Sequence, residues 1–156
     1  MPHLVILYTG NLDQETDMRA LCRSLADTML AAHDDVGRPV FPPGGIRVLA
    51  YPAPYFAVSD GGAAGRAAGP HGADASGDPG DYAFVYLNLR MASGRTAATH
   101  KRVGDALLMA TKAHFQPVFA SRYIGVTLQI DEGHEVFDAK HSNLHPLFQT
   151  PVNAPT

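Results

Sequence analysis

The fold is decided by the first stretch of the chain, Met1-Pro2-His3-Leu4-Val5-Ile6-Leu7-Tyr8-Thr9. The apolar and β-branched run from His3 predicts a strand that is covered on both faces or lies in an oligomer. Proline has no amide hydrogen for a sheet ladder, so Pro2 suits the first position of a strand. If Met1 is removed, the ring nitrogen of Pro2 becomes a free secondary amine, held rigidly at the end of a strand. It is then a candidate general base; the alternative is that proline follows the initiator by chance.

The composition is typical of one globular domain. The chain has 156 residues, of which 46% are apolar and 17% are charged. That length is enough for a substantial hydrophobic core. We predict a single domain over residues 1–149 and a frayed tail over residues 150–156.

Charge, cysteine content and hydropathy argue against several classes of protein. The formal net charge is −3 and there is no basic run, which argues against nucleic-acid binding. The single cysteine, Cys22, excludes an internal disulfide and fits a reducing cytoplasm. No apolar stretch has the length of a membrane span, and the start lacks the basic region of a signal peptide. We expect a cytoplasmic protein that binds neither membranes nor nucleic acids.

Hydrophobic periodicity predicts two helices. The first reaches about residue 32, and Asn11 with Gln14 resembles a capping box at its start. Its apolar face consists of Met18, Leu21, Cys22, Leu25 and Met29. The second follows Ser93 or Thr96 as its N-cap, and Pro117 is expected to kink or end it.

Three further strands and one long loop complete the pattern. The strands are predicted over residues 46–58, 81–91 and 123–130. The first of these contains Pro52 and Pro54, which favour an edge position in the sheet or a bulge. Residues 59–80 are rich in Gly, Ala and Asp and are predicted to form a flexible surface loop without chemistry.

The order strand–helix–strand, loop, strand–helix–strand predicts two βαβ units in tandem. They would form a layered α+β fold, with a four-stranded sheet and two helices on one face. Little chain remains to cover the other face, so we expect an oligomer. The alternative is a lone ferredoxin-like domain with a polar second face, which fits the apolar strands less well.

Five short motifs together resemble the 5-carboxymethyl-2-hydroxymuconate Δ-isomerase family of the tautomerase superfamily. They are Met1-Pro2-His3, Phe41-Pro-Pro-Gly-Gly-Ile-Arg47, Asp81-Tyr-Ala-Phe-Val85, Ser93-Gly-Arg95 and Asn143-Leu-His-Pro-Leu-Phe148. The resemblance covers most of residues 1–148, and the spaced combination is more specific than any single motif. The sequence departs from the family pattern in three respects: the longer loop over 59–80, the absence of acidic residues just after the first strand, and the extra tail.

The resemblance implies a homotrimer, tautomerase-like in fold, that acts on an enol of aromatic catabolism. It implies that Pro2 is the general acid and base, and that Arg47 and Arg95 bind the carboxylates of a small anionic substrate. It implies no cofactor and no metal. Arginine suits this role because its fork meets a carboxylate through two parallel hydrogen bonds. Arg95 at a helix N-terminus is misplaced for stability, since that end prefers anions, and a bound anion would relieve the misfit.

Alternatives remain open from the sequence. The same base could serve a hydratase or dehalogenase of a small unsaturated acid, because the end of the first strand and the long loop differ from the family pattern. A trimeric binding protein without catalysis is also possible if Met1 is retained. His141 and His145 have the spacing of metal ligands on a helix, but Pro146 limits such a helix. Cys22 lies on the apolar face of the first helix and is expected in the core.

Overall fold

A computed structural model describes residues 2–70, 81–133, 136–139, 141 and 144–148 of the chain. These residues form a four-stranded sheet. Its strands are β1 (His3–Thr9), β2 (Arg47–Ala53), β3 (Ala83–Ala92) and β4 (Ile124–Gly133). The spatial order is β2-β1-β3-β4, in which β1 is parallel to β2, β3 is parallel to β4, and β1 is antiparallel to β3. The tandem βαβ arrangement predicted from the sequence is confirmed.

In the part of the chain that the structure describes, three α-helices accompany the sheet, and the two long ones pack on one of its faces. They are α1 (Met18–Leu30), α2 (Ala63–Ala68) and α3 (Ala97–Ser121). The core combines alternate residues of β1 and β3 with the apolar stripes of α1 and α3. Fully buried members include Leu4, Ile6, Leu87, Leu89, Leu21, Leu25, Leu107 and Phe115. Burial of each leucine contributes about 1.5–3 kcal/mol, so this layer holds the helices on the sheet.

The start of α1 differs from the sequence prediction. Its N-cap is Asp17, whose carboxylate accepts a hydrogen bond from the amide of Ala20 at 3.0 Å. The capping box expected at Asn11 is wrong, because Gly10–Leu12 forms a separate 3-10 turn. The side-chain nitrogen of Asn11 instead donates to Oδ1 of Asp81 at 2.8 Å, which ties the end of β1 to the start of β3.

The other boundaries follow the pattern with two corrections. Thr96 is the N-cap of α3 and accepts from the amide of Thr99 at 3.1 Å. Pro117 lies inside α3, which continues to Ser121. Of the two outcomes predicted at Pro117, a kink or an end, the end is wrong, because α3 packs over the sheet beyond this point through Val118. β2 is an edge strand, as expected, but it ends at Ala53 rather than near residue 58.

The long connection between β2 and β3 is only partly described. The short helix α2 interrupts its first half, where the sequence predicted loop alone. Residues 71–80 and 149–156 lie outside the described residues. Three features therefore stay predictions: the domain bounds 1–149, the loop over 59–80 and the tail over 150–156. Among the described helices, none has the length and apolar character needed to cross a membrane.

The two long helices leave the second face of the sheet uncovered. Leu7 is 48% exposed there, Leu49 40%, Tyr51 49% and Phe84 42%. The β3–β4 side of the same face is polar, with the hydroxyl of Tyr86 donating to Gln129 at 2.7 Å. The apolar side matches the uncovered face that the sequence led us to expect.

Candidate active site

Pro2 lies at the buried start of the central strand β1. Its ring packs against the tight 3-10 turn Pro43–Gly45 that precedes β2. The Cδ atom of Pro2 is 3.4 Å from the point that a Cβ on Gly45 would occupy. A larger side chain at Gly45 would also meet Pro42 at 3.0 Å, so glycine is what lets this turn close beside Pro2.

Arg47 is brought to Pro2 by the parallel pairing of β1 and β2. His3 is the register partner of Arg47, so the two strands begin side by side. The Nη1 atom of Arg47 donates to the carbonyl oxygens of Gly44 and Ile46, both at 2.9 Å. Two carbonyls thus anchor one nitrogen of the half-buried guanidinium, and its remaining N–H groups have the geometry to form a fork with a carboxylate.

Arg95 reaches the same end of the sheet from the other unit. β3 is antiparallel to β1, so its last residues lie beside the first residues of β1. After the turn at Gly94, where φ is +98°, Arg95 donates from Nη1 to Ala92 O at 2.8 Å and from Nη2 to Val40 O at 2.9 Å. Its guanidinium carbon also lies 5.7 Å from the ring centroid of Phe41, a cation–π contact.

The two arginines are therefore tied to one segment, residues 40–46. Arg95 is bound to the first residue of this segment and Arg47 to its last residues. Pro2 packs on the glycine between them. All three residues that the sequence singled out therefore contact this one segment, at the same end of the sheet.

A cavity of about 580 Å³ opens beside Arg95. Two carboxylates in its wall are already paired. Asp35 accepts from Arg102 at 2.8 Å and from Thr96 at 2.7 Å, and the hydrogen bond from Arg102 is the main cause that lowers the pKa of the Asp35 carboxyl. Asp34 accepts from the amide of Arg38, which lowers the pKa of the Asp34 carboxyl in the same way. These acids are ionised and engaged, which leaves Arg95 available to an external anion.

The C-terminal turn His145–Phe148 supports the same segment from outside. The ring of Phe148 rests on Gly44, with Cδ2 2.8 Å from the point that a Cβ would occupy. The docking expected for this apolar cluster is confirmed for Phe148. The side chain of His145 lies outside the described residues, so its pairing with His141 stays untested.

Comparison with known proteins identifies the family. The family model for 5-carboxymethyl-2-hydroxymuconate isomerase matches residues 2–148. This chain belongs to the 5-carboxymethyl-2-hydroxymuconate isomerase family. The resemblance seen in the five motifs is thereby confirmed, and the protein is an isomerase.

Relatives of this isomerase match it over nearly their whole length. A crystal structure of a 5-carboxymethyl-2-hydroxymuconate delta-isomerase is 56% identical, with a TM-score of 0.87 over 96% of this chain and 94% of that one. A 5-carboxymethyl-2-hydroxymuconate isomerase from Deinococcus radiodurans R1 is 32% identical, with a TM-score of 0.73 over 96% and 95% of the two chains. The Escherichia coli 5-carboxymethyl-2-hydroxymuconate Delta-isomerase is 26% identical over 149 residues, which are 96% of this chain and 100% of that one.

One charged residue of the isomerase near the site was not singled out from the sequence. Arg90 is the register partner of His3 on β3, and it is exposed on the face without helices. The alternation along β3 places Arg90 on the same face as Phe84, Tyr86 and Asn88. Strand alternation alone indicates the face but not that this end of β3 adjoins Pro2, which depends on the antiparallel pairing.

Cys22 has the structural role expected of it. The isomerase packs this side chain, partly buried, against the core. Burial raises the pKa of the Cys22 thiol, which disfavours the thiolate that a nucleophile would need.

Proposed function

We propose that this isomerase is an enol–keto tautomerase that moves a proton within a carboxylated 2-hydroxymuconate-type dienol. 5-Carboxymethyl-2-hydroxymuconate, the compound after which the family is named, is the substrate that we put forward, in the breakdown of aromatic compounds. The observation that carries the proposal is the convergence of Pro2, Arg47 and Arg95 on residues 40–46.

The proposed acid and base is the amine of Pro2 after removal of Met1. It takes the proton of the 2-hydroxyl group, the O–H electron pair forms the carbonyl, and the double bonds shift along the chain. The resulting ammonium returns the proton to the distant carbon, so no atoms are gained or lost. A free α-amine has a pKa of roughly 8, and burial beside two guanidinium groups would lower it towards neutrality, where one group serves both steps.

The proposed role of Arg47 and Arg95 is to hold the substrate carboxylates. Each guanidinium is fixed by two backbone carbonyls, so little side-chain freedom would be lost on binding. A cation that is already fixed beside the reacting dienol also stabilises the negative charge that develops as the proton leaves. Neither role needs a cofactor or a metal.

We further propose a homotrimer in the cytoplasm. The apolar half of the open sheet face supports an oligomer, because exposed apolar surface of this kind is typical of an interface. The trimeric state is an expectation carried by the family resemblance, and the location is an expectation from the single cysteine and the hydropathy of the sequence.

The test follows ketonisation of 5-carboxymethyl-2-hydroxymuconate by ultraviolet absorbance. The enzyme is used after its intact mass shows that Met1 is absent. Rapid turnover supports the proposal, and absence of turnover by this protein contradicts it. A matched sample that keeps an additional residue before Pro2 has an amide in place of the amine, and it should lose the activity.

A further inference from the structure

Four residues lie in one row across the open face of the sheet, at the end where Pro2 begins β1. Register pairing joins Arg47 to His3, His3 to Arg90, and Arg90 to Asp131. Partners of this kind have Cα atoms about 5 Å apart, so the backbone of Arg90 lies close to the start of β1. Three of the four side chains in this row are basic.

Arg90 does not form an ion pair with Asp131, its oppositely charged neighbour in this row. Its cross-strand partner is Asp131, but the Asp131 carboxylate accepts a hydrogen bond from the side-chain nitrogen of Asn88 at 2.7 Å. Within the described part of the chain, the guanidinium of Arg90 has neither a hydrogen bond nor an ion pair. This exposed cation therefore has no carboxylate partner among the described residues.

The guanidinium of Arg90 instead lies on the backbone of Gly133. Its Nε and Nη2 atoms are both 2.7 Å from the point that a Cβ on Gly133 would occupy. Gly133 is the register partner of Ala92, whose carbonyl oxygen accepts from Arg95 at 2.8 Å. Arg90 and Arg95 therefore contact the two members of one cross-strand pair, at the end of the sheet that carries Pro2.

We propose that Arg90 determines specificity by binding the carboxymethyl carboxylate of the substrate. This inference rests on the function proposed above. 5-Carboxymethyl-2-hydroxymuconate bears three carboxylates, two on the muconate chain and one on the carboxymethyl branch. Arg47 and Arg95 provide guanidinium groups for two of them. A third carboxylate needs a third cation, and Arg90 is the free guanidinium at this end of the described chain. The charge of a bound trianion would be balanced by three guanidinium groups at this end of the sheet.

The experiment compares two substrates that differ in that branch. Kinetics are measured with 5-carboxymethyl-2-hydroxymuconate and with 2-hydroxymuconate, which lacks the branch and has two carboxylates. Arg90→Ala should raise KM for the first by about tenfold or more, the size expected for a lost hydrogen bond between charged groups. KM for the second, or its inhibition constant if it is not turned over, should stay within about twofold. The Arg90→Lys variant keeps the charge and should recover part of the loss.

Two further variants separate binding by Arg90 from a general effect of charge or folding. Gly133→Ala puts a methyl group where the guanidinium lies, so it should displace Arg90 and raise KM for the tricarboxylate alone. Arg23→Ala removes an arginine of α1 whose side chain is 66% exposed, and it should change neither KM.

Three outcomes are distinguishable. Selective loss of affinity for the tricarboxylate supports the assignment. An equal change for both substrates, or no change for either, overturns the role of Arg90 while leaving the tautomerase reaction intact. Absence of turnover of 5-carboxymethyl-2-hydroxymuconate by the unaltered enzyme overturns the proposed function, and the assignment of Arg90 with it.

Discussion

Phe148 and Gly44 lie in direct contact, with the ring Cδ2 atom 2.8 Å from the point that a Cβ on Gly44 would occupy. The carbonyl of Gly44 is also one of the two that hold Nη1 of Arg47. The C-terminal turn is thereby connected to a substrate-binding candidate by two consecutive contacts.

Replacement of Phe148 by Ala is expected to raise KM several-fold while kcat changes little. The aromatic ring that holds the Pro43–Gly45 turn would be lost, so Arg47 would be less well positioned. Leu147→Ala is the matched control, because Leu147 is the neighbouring residue and is 74% exposed. Steady-state kinetics and thermal melting are measured on both variants. Equal kinetics for the two would contradict a positioning role for Phe148.

Pro2→Ala is expected to lower kcat by about a hundredfold or more, in the range of general acid–base catalysis. The variant still has a terminal amine, but it loses the rigid secondary amine. Stability should change little, because proline donates no hydrogen bond to the sheet. The checks are kcat and the melting temperature, and a variant that keeps the full rate would show that catalysis does not need the rigid secondary amine of Pro2.

Replacement of Arg47 and of Arg95 by alanine is expected to affect stability differently. Arg47→Ala should raise KM by about tenfold or more with little loss of stability, because it is anchored only to its own turn. Arg95→Ala should raise KM and also lower the free energy of unfolding by about 1–2 kcal/mol, since it joins Val40 to Ala92 and stacks on Phe41. Urea unfolding of both variants measures the difference. Equal losses of stability would contradict this account of Arg95.

The open sheet face gives a prediction about oligomeric state. Leu7→Glu and Leu49→Glu should each weaken or abolish the proposed trimer, because a charge would enter an apolar interface. Leu108→Glu is the control, since Leu108 is 39% exposed but lies on α3, on the helix side. Light scattering after size exclusion measures the mass. A trimer that survives both changes on the sheet face would place the interface elsewhere.

His114 gives a prediction about pH and stability. Burial is the main cause that lowers the pKa of its imidazole, against a smaller opposing effect of Asp17, and its Nε2 atom lies 2.6 Å from the Thr16 hydroxyl. As pH falls, the unfolded chain takes up this proton first, at about pH 6.5. The free energy of unfolding should therefore decrease from about pH 6.5 down to the lowered folded pKa. Urea unfolding of the His114→Gln variant should show a weaker decrease over that window. An unchanged pH dependence would assign the effect to other groups.

The sequence predicted the sheet and the long helices because hydrophobic periodicity is local. The spacing of Leu21, Leu25 and Met29 indicates a helix whatever it packs against, and these residues are buried as expected. Capping was less predictable. Asn11 has the residue type of a cap, but a long-range hydrogen bond to Asp81 competes for it.

By itself, the sequence determined the order of the elements and which residues could act as acid, base and anion ligand. Proline at the chain start and arginine after Gly94 are chemical facts of the chain. Only the tertiary structure decided that Pro2, Arg47 and Arg95 meet at one end of the sheet, because this depends on β1 being parallel to β2 and antiparallel to β3. The same is true of Arg90: only the packing shows that its cross-strand neighbour Asp131 accepts from Asn88 and that its guanidinium forms no ion pair with a described residue. Residue chemistry is local, whereas strand direction and competition for partners arise only when distant segments pack together.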